Sequence, residues 1–226
     1  AQKYVPDTLE NILEKNLECL KRLTTPTNSL PLFNGSVEDD LTNFYEYINH
    51  YNIKIKKPKI NSGNIYVLKN KKDVIYFEAG KPPKKNYSSC YQSGPLSFEY
   101  FFDDQKIITN CGFGVNISNK ARLFSRFTSS QSTLCINDTS IVSFEKSNVM
   151  NKAYGFLTKK DFKILNLEDK NDTSETQVKA GHDAYLKNFG CIHNRSISID
   201  KIKNKIVGQD KLIQKSINLK IKYDIR

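Results

Sequence analysis

No apolar run in the 226 residues approaches the roughly 18 to 20 positions that a helix needs to cross a bilayer. The longest, such as residues 96–102 and 74–77, are far shorter, so no membrane span is expected. Paired cysteines are missing as well: Cys19, Cys90, Cys111, Cys135 and Cys191 are odd in number and widely spaced, with no CxxC. That argues against both a disulfide framework and a zinc ribbon, and buried free thiols are expected for Cys111, Cys135 and Cys191 beside apolar runs. Histidine occurs only at 50, 182 and 193, never at a helical i, i+3 or i+4 spacing that would make a zinc site. There is no GxSxG, no P-loop and no GxGxxG; the Gly112-Phe-Gly114 pair lacks a third glycine and an acidic partner. The N-terminus has no basic stretch followed by an apolar core, and no initiator Met, so the start of the protein is expected upstream.

Charge of one sign is what the chain does have. Lys and Arg total 35 against 24 Asp and Glu, a net +11 that would attract nucleic acid, anionic lipid or acidic polysaccharide. Arginine supplies only positions 22, 122, 126, 195 and 226, and the lysine excess beside abundant Asn and Ile fits a biased codon pool. The runs at 54–59 and 69–72 flank a strand and read as a solvated hairpin; no basic motif interleaved with aromatics supports nucleic-acid binding.

Periodicity gives the architecture. Asp7 and Glu10 make a capping-box-like start, and Leu9, Ile12, Leu13, Leu17 and Leu20 continue at helical spacing to Pro26. A second helix is expected from the acidic positions 38–40 to about Asn52, with Leu41, Phe44, Tyr45 and Ile48 on one face. Beyond residue 60 the period falls to two. Residues 64–69, 74–79, 96–102, 106–111, 133–137, 141–145, 162–167, 176–180 and 191–200 read as strands, and Ile217, Leu219, Ile221 and Tyr223 alternate with polar residues in a last one. Many short strands without intervening helical patterns predict a mainly β chain, an antiparallel β-sandwich over 53–226 behind a short helical segment, 1–52.

Polar side chains gather at the strand starts. Gln92, Asn110 and Gln131 stand at the boundaries of apolar strands and bring neutral amides to the sheet. His182, Asp183, Tyr185, His193 and Arg195 fall within fifteen positions. Imidazole, phenol and guanidinium can serve as base, acid and charge neutraliser toward an anionic substrate. The plainer reading is a turn at the domain's edge surface whose polar groups satisfy the ends of two strands. His193 and Arg195 share one parity on a strand, so both are expected to face one way.

The motifs Phe33-Asn-Gly35, Glu78-Ala-Gly-Lys-Pro-Pro83, Gly94-Pro-Leu-Ser-Phe-Glu99, Thr109-Asn-Cys-Gly112, Gln131-Ser-Thr-Leu134 with Asn137-Asp-Thr-Ser140, Gly181-His-Asp-Ala-Tyr185 and Gly208-Gln-Asp210 stand in one order. In that order the chain, from about residue 30 to its end, resembles heparinase II/III-like proteins of alphaproteobacteria. The resemblance implies an α/α toroid followed by a β-sandwich, with residues 1–52 as the last toroid helices and both ends resembling cut points. It implies a polysaccharide lyase of the cell envelope or periplasm, acting by β-elimination on uronic acids of an acidic polysaccharide. His182, Tyr185, His193 and Arg195 are the candidate catalytic residues, and Gln92, Asn110 and Gln131 the candidate substrate-binding residues. The family's catalytic tyrosine would lie upstream of Ala1, so the chain alone is expected to be an incomplete enzyme, or a carbohydrate-binding or structural sandwich without chemistry. Members with a sandwich zinc site supply it from two His and an Asp in motifs matching residues 91–99, 109–112 and 128–134. Here Gln92, Asn110 and Gln131 stand instead, so no metal and no cofactor are expected, and the amides are expected to satisfy one another.

Overall fold

Two four-stranded antiparallel sheets form in a computed structural model that describes residues 6–55, 63–145, 156–159, 161–215 and 223–224. The first holds β1 (Ile65–Asn70), β2 (Asp73–Glu78), β3 (Phe98–Phe102) and β4 (Gln105–Ile108) in that spatial order. The second holds β6 (Ile164–Asn171), β7 (Glu175–His182), β8 (Cys191–Asp200) and β9 (Lys205–Gln214), again in order. A two-residue strand, β5 (Cys135–Ile136), pairs with β10 (Tyr223–Asp224). Leu68, Ile75, Phe77, Ala79 and Leu96 meet Val178, Ala180, Ile197 and Ile199 between the sheets, and this contact is the sandwich core.

The second sheet keeps the period of two: along β8, positions from Cys191 to Ile199 alternate buried and half-buried. The first does not, since all six residues of β2 are buried. Its outer face is covered by the segment that follows the first helix. Phe33 packs with Val74, Tyr76 and Phe101, and the Tyr76 hydroxyl donates to the Thr24 carbonyl over 2.8 Å.

Helix α1 runs Asp7–Leu23 and α2 Thr42–His50. The expected capping box does not form. Pro6 holds the cap position, and its carbonyl accepts from Leu9 N and Glu10 N, so Asp7 already lies inside the first turn. At α2 the acidic start does act: Asp40 Oδ1 accepts from Thr42 N and from the Thr42 hydroxyl. Two short helices were not expected, α3 (Asn119–Phe124), capped by the Ser118 hydroxyl, and α4 (Leu186–Phe189), closed by Gly190 in the left-handed region. Residues 141–145 make only an isolated bridge between Phe144 and Thr158. Of the expected last strand, Ile217, Leu219 and Ile221 lie outside the described residues. No helix among the described residues is long and apolar enough to cross a membrane.

Candidate functional site

β7 and β8 pair so that His182 lies opposite His193, and β8 and β9 so that Arg195 lies opposite Asp210. All four side chains take the inward parity, which draws the polar residues into one chain of contacts. His182 Nε2 is 3.1 Å from His193 Nδ1, and His193 Nε2 is 2.6 Å from Asp210 Oδ1. Arg195 grips the same carboxylate with both edges, Nε to Oδ1 at 2.8 Å and Nη2 to Oδ2 at 2.9 Å. Its remaining nitrogen, Nη1, donates across the sandwich to the Leu96 and Ser132 carbonyls. The expected common direction of His193 and Arg195 is what the geometry shows, and Asp210, which carried no role in the sequence, is their shared partner.

The tautomers follow from the carboxylate. An ionised Asp210 only accepts, so His193 Nε2 carries the proton, its Nδ1 accepts, and His182 Nε2 donates. His182 Nδ1 is then a bare lone pair, and it has no hydrogen-bond partner. Burial, with His193 and Arg195 nearby, drives the His182 imidazole well below its ordinary pKa. Burial lowers His193 as well, against the hydrogen bond that it donates to Asp210. Burial works to raise Asp210, but its bonds to His193 and Arg195 overcome it and hold the carboxyl below the usual range.

Access decides what this relay can do. His182 and His193 are 0% exposed, Tyr185 1% and Arg195 6%. The expectation of a turn at the domain's edge needs correction. His182 ends β7 and Tyr185 opens α4, yet both are packed inside, and β8 lies between β7 and β9 instead of at an edge. The Tyr185 hydroxyl donates to the Leu134 carbonyl at 2.7 Å, and the His182 ring lies among Phe162, Tyr185 and His193. In this arrangement the four candidate catalytic side chains are packed among the strand ends. Only the Arg195 and Asp210 end borders open space, a cleft of about 580 Å³ walled by Phe98, Tyr100, Ile108 and Ile206.

The amides form a second centre. Gln92 Nε2 donates to the Gly112 and Ser125 carbonyls, both at 2.9 Å, while its Oε1 accepts from Gly35 N. Gln131 Nε2 donates to the same Ser125 carbonyl at 2.8 Å. Two of the three amides therefore converge, on backbone instead of on each other. Ser125 follows the last turn of α3, where carbonyls lack helical partners, and buried donors from side chains fill that need. Asn110 turns aside: its Oδ1 accepts from Ser132 N at 2.9 Å, and its Nδ2, though buried, has no acceptor. Nearby, Arg126 is 1% exposed and donates only to carbonyls, those of Tyr91, Phe156 and Ser88, with its guanidinium 4.3 Å from the Phe144 ring.

A family model described as heparinase II/III-like, C-terminal, matches residues 55–221. The chain belongs to this family. Among solved structures, heparinase III is similar over 94% of this chain and 36% of that one, at 18% identity and a TM-score of 0.66. The heparan sulfate lyase HepC from Pedobacter heparinus is similar over 92% of this chain and 33% of that one, at 17% identity and a TM-score of 0.61. The heparinase II/III-like chain thus spans about a third of the length of these structures, and at such identities the likeness shows the fold. No curated protein matches it in sequence.

The zinc site that the resemblance raised can be tested on the donor set of this heparinase II/III-like sandwich. Gln92 and Gln131 present N–H groups to carbonyls, and the Asn110 oxygen is engaged by Ser132 N, so no lone pairs converge. Among the described residues, no three His, Cys, Asp or Glu side chains group so as to hold a metal. The residues do not fit zinc.

Proposed function

We propose that this chain is the sandwich end of a polysaccharide lyase that cleaves an acidic, uronate-containing polysaccharide by β-elimination at the cell envelope. The family match over residues 55–221 carries the reading, and the net charge of +11 suits a polyanionic partner. The residues that abstract the proton belong, in this reading, to a toroid upstream of Ala1, with residues 1–52 as its last helices. The relay of His182, His193, Asp210 and Arg195 holds the second sheet in register beneath that active centre. The sandwich works without zinc, its Gln92 and Gln131 amides tying down Ser125 where a metal would otherwise organise the strand starts.

A second reading has support in the burial of the histidines and Tyr185: a sandwich that binds carbohydrate and carries no chemistry. Incubating the protein with its upstream residues restored on heparan sulfate, alginate and other uronate polymers separates the two. Elimination creates a conjugated unsaturated uronate, read by its ultraviolet absorbance. A rise supports the lyase, and no rise across the panel leaves the binding module. Stoichiometric zinc in elemental analysis of the purified protein would refute the metal-free sandwich.

A further inference from the structure

The Gly181-His-Asp-Ala-Tyr185 motif does something on the other face of the second sheet. Residue 181 points outward there, opposite Asn194. A Cβ at 181 would collide with Asn194 Oδ1, so only glycine lets that side chain lie flat across the strand. Beside it, Leu165 pairs with Gly181 but Glu168 with Lys179, which leaves two residues of β6 against Ala180, a β-bulge. The bulge includes Asn166 at φ 48°, a left-handed conformation that asparagine tolerates. Missing Cβ and bulge together open a depression of about 280 Å³ on an otherwise regular sheet. Asn194 Oδ1 is buried there without a hydrogen-bond partner. Lys179 and Lys211 flank the floor, with Asn166, Gln209 and Ser196 around it and Glu168 as the one carboxylate. Among the described residues neither lysine is in an ion pair.

We propose that this depression binds one acidic sugar residue of a polysaccharide, its carboxylate or sulfate between Lys179 and Lys211 and its hydroxyls against the side chains of Asn166, Ser196 and Gln209. The volume lies below the roughly 300 to 1,000 Å³ of sites that enclose drug-sized ligands, which suits one ring of a longer chain. Two cations against one carboxylate select an anionic ring. Glu168 and the amides take further hydroxyls. The ligand class rests on the polysaccharide reading above, whereas the site itself rests on the sheet.

Calorimetric titration of the 226-residue chain with short heparan sulfate and alginate oligosaccharides, and with a neutral dextran oligosaccharide, tests this. We expect binding of an acidic oligosaccharide and none of dextran. Joint Lys179→Gln and Lys211→Gln should weaken it roughly tenfold or more, while Lys203→Gln with Lys205→Gln, equal in charge lost, should leave it within about twofold. Equal losses in both lysine pairs, binding of dextran as tight as of the acidic sugars, or no binding at all would overturn the site. The two readings fail separately. Elimination by the longer protein without binding here removes the depression alone; lysine-dependent binding without elimination removes the lyase alone.

Discussion

A guanidinium and a carboxylate that share two hydrogen bonds inside a sandwich are costly to separate and cheap to replace together. Arg195 is 6% exposed and Asp210 about a quarter, so either partner left alone is an unpaired charge next to the core. Asp210→Leu should destabilise by about 3 to 5 kcal/mol in urea unfolding, and Arg195→Met by a similar amount. The double variant should cost less than the sum by roughly 2 kcal/mol or more, and additivity within about 0.5 kcal/mol would show that the pair is not coupled. The sequence made half of this legible. His182, Tyr185, His193 and Arg195 stand close enough along the chain to read as a group, but Asp210 joins them only through the register of β8 with β9. Nor does spacing show that Gln92 and Gln131 share the Ser125 carbonyl, because 39 positions that include β3, β4 and α3 separate the two glutamines.

Among the elements, the strands were readable wherever one face is wet and one dry, as in β8. β9 was missed because its centre carries Gly208, Asp210 and Lys211, and because most of its residues are exposed at the sheet edge. The irregular stretches between strands depend on side chains for their hydrogen bonds, and Arg126 supplies three carbonyls at once. Lysine has its three donors on a single nitrogen and cannot span all three carbonyls. Arg126→Lys should therefore speed amide hydrogen exchange in residues 88–93 and at 156–159 while strands β7 and β8 keep their protection; unchanged exchange there would mean the clamp is redundant. Helix α1 gives a sharper contrast within one element. Leu17 is 8% exposed, but Leu9, Ile12 and Leu13 are 55%, 51% and 53% exposed, although the period-3.6 pattern placed all four on one apolar face. In the 226-residue chain Leu17→Ala should cost about 2 kcal/mol or more and Leu13→Ala less than about 0.5 kcal/mol, measured by chemical denaturation.

At the scale of the molecule, two sets of buried ionisable groups pull the dependence of stability on pH in opposite directions. His182 and His193 have lowered folded pKa values, so the unfolded chain binds their protons first, and stability falls as pH drops below about 6.5. Above that pH both states are neutral and the histidines contribute no further change. Glu78 behaves oppositely. Burial, opposed by the Asn34 hydrogen bond, pushes its carboxyl up to about 8, and Glu99 is raised by burial in the same direction. Unfolding frees the Glu78 carboxyl to ionise from about pH 4.5, so the folded state loses ground as pH rises toward 8, at up to about 1.4 kcal/mol per unit. Between about 4.5 and 6.5 the histidines and glutamates oppose one another. From about 6.5 to 8 only the glutamate effect remains, and the melting temperature should fall. Glu78→Gln keeps an oxygen for the Asn34 amide and cannot ionise. Its melting temperature relative to the parent should rise steadily between pH 6.5 and 8 and level off above; a difference that stays flat across that range would show that Glu78 is already ionised in the folded protein.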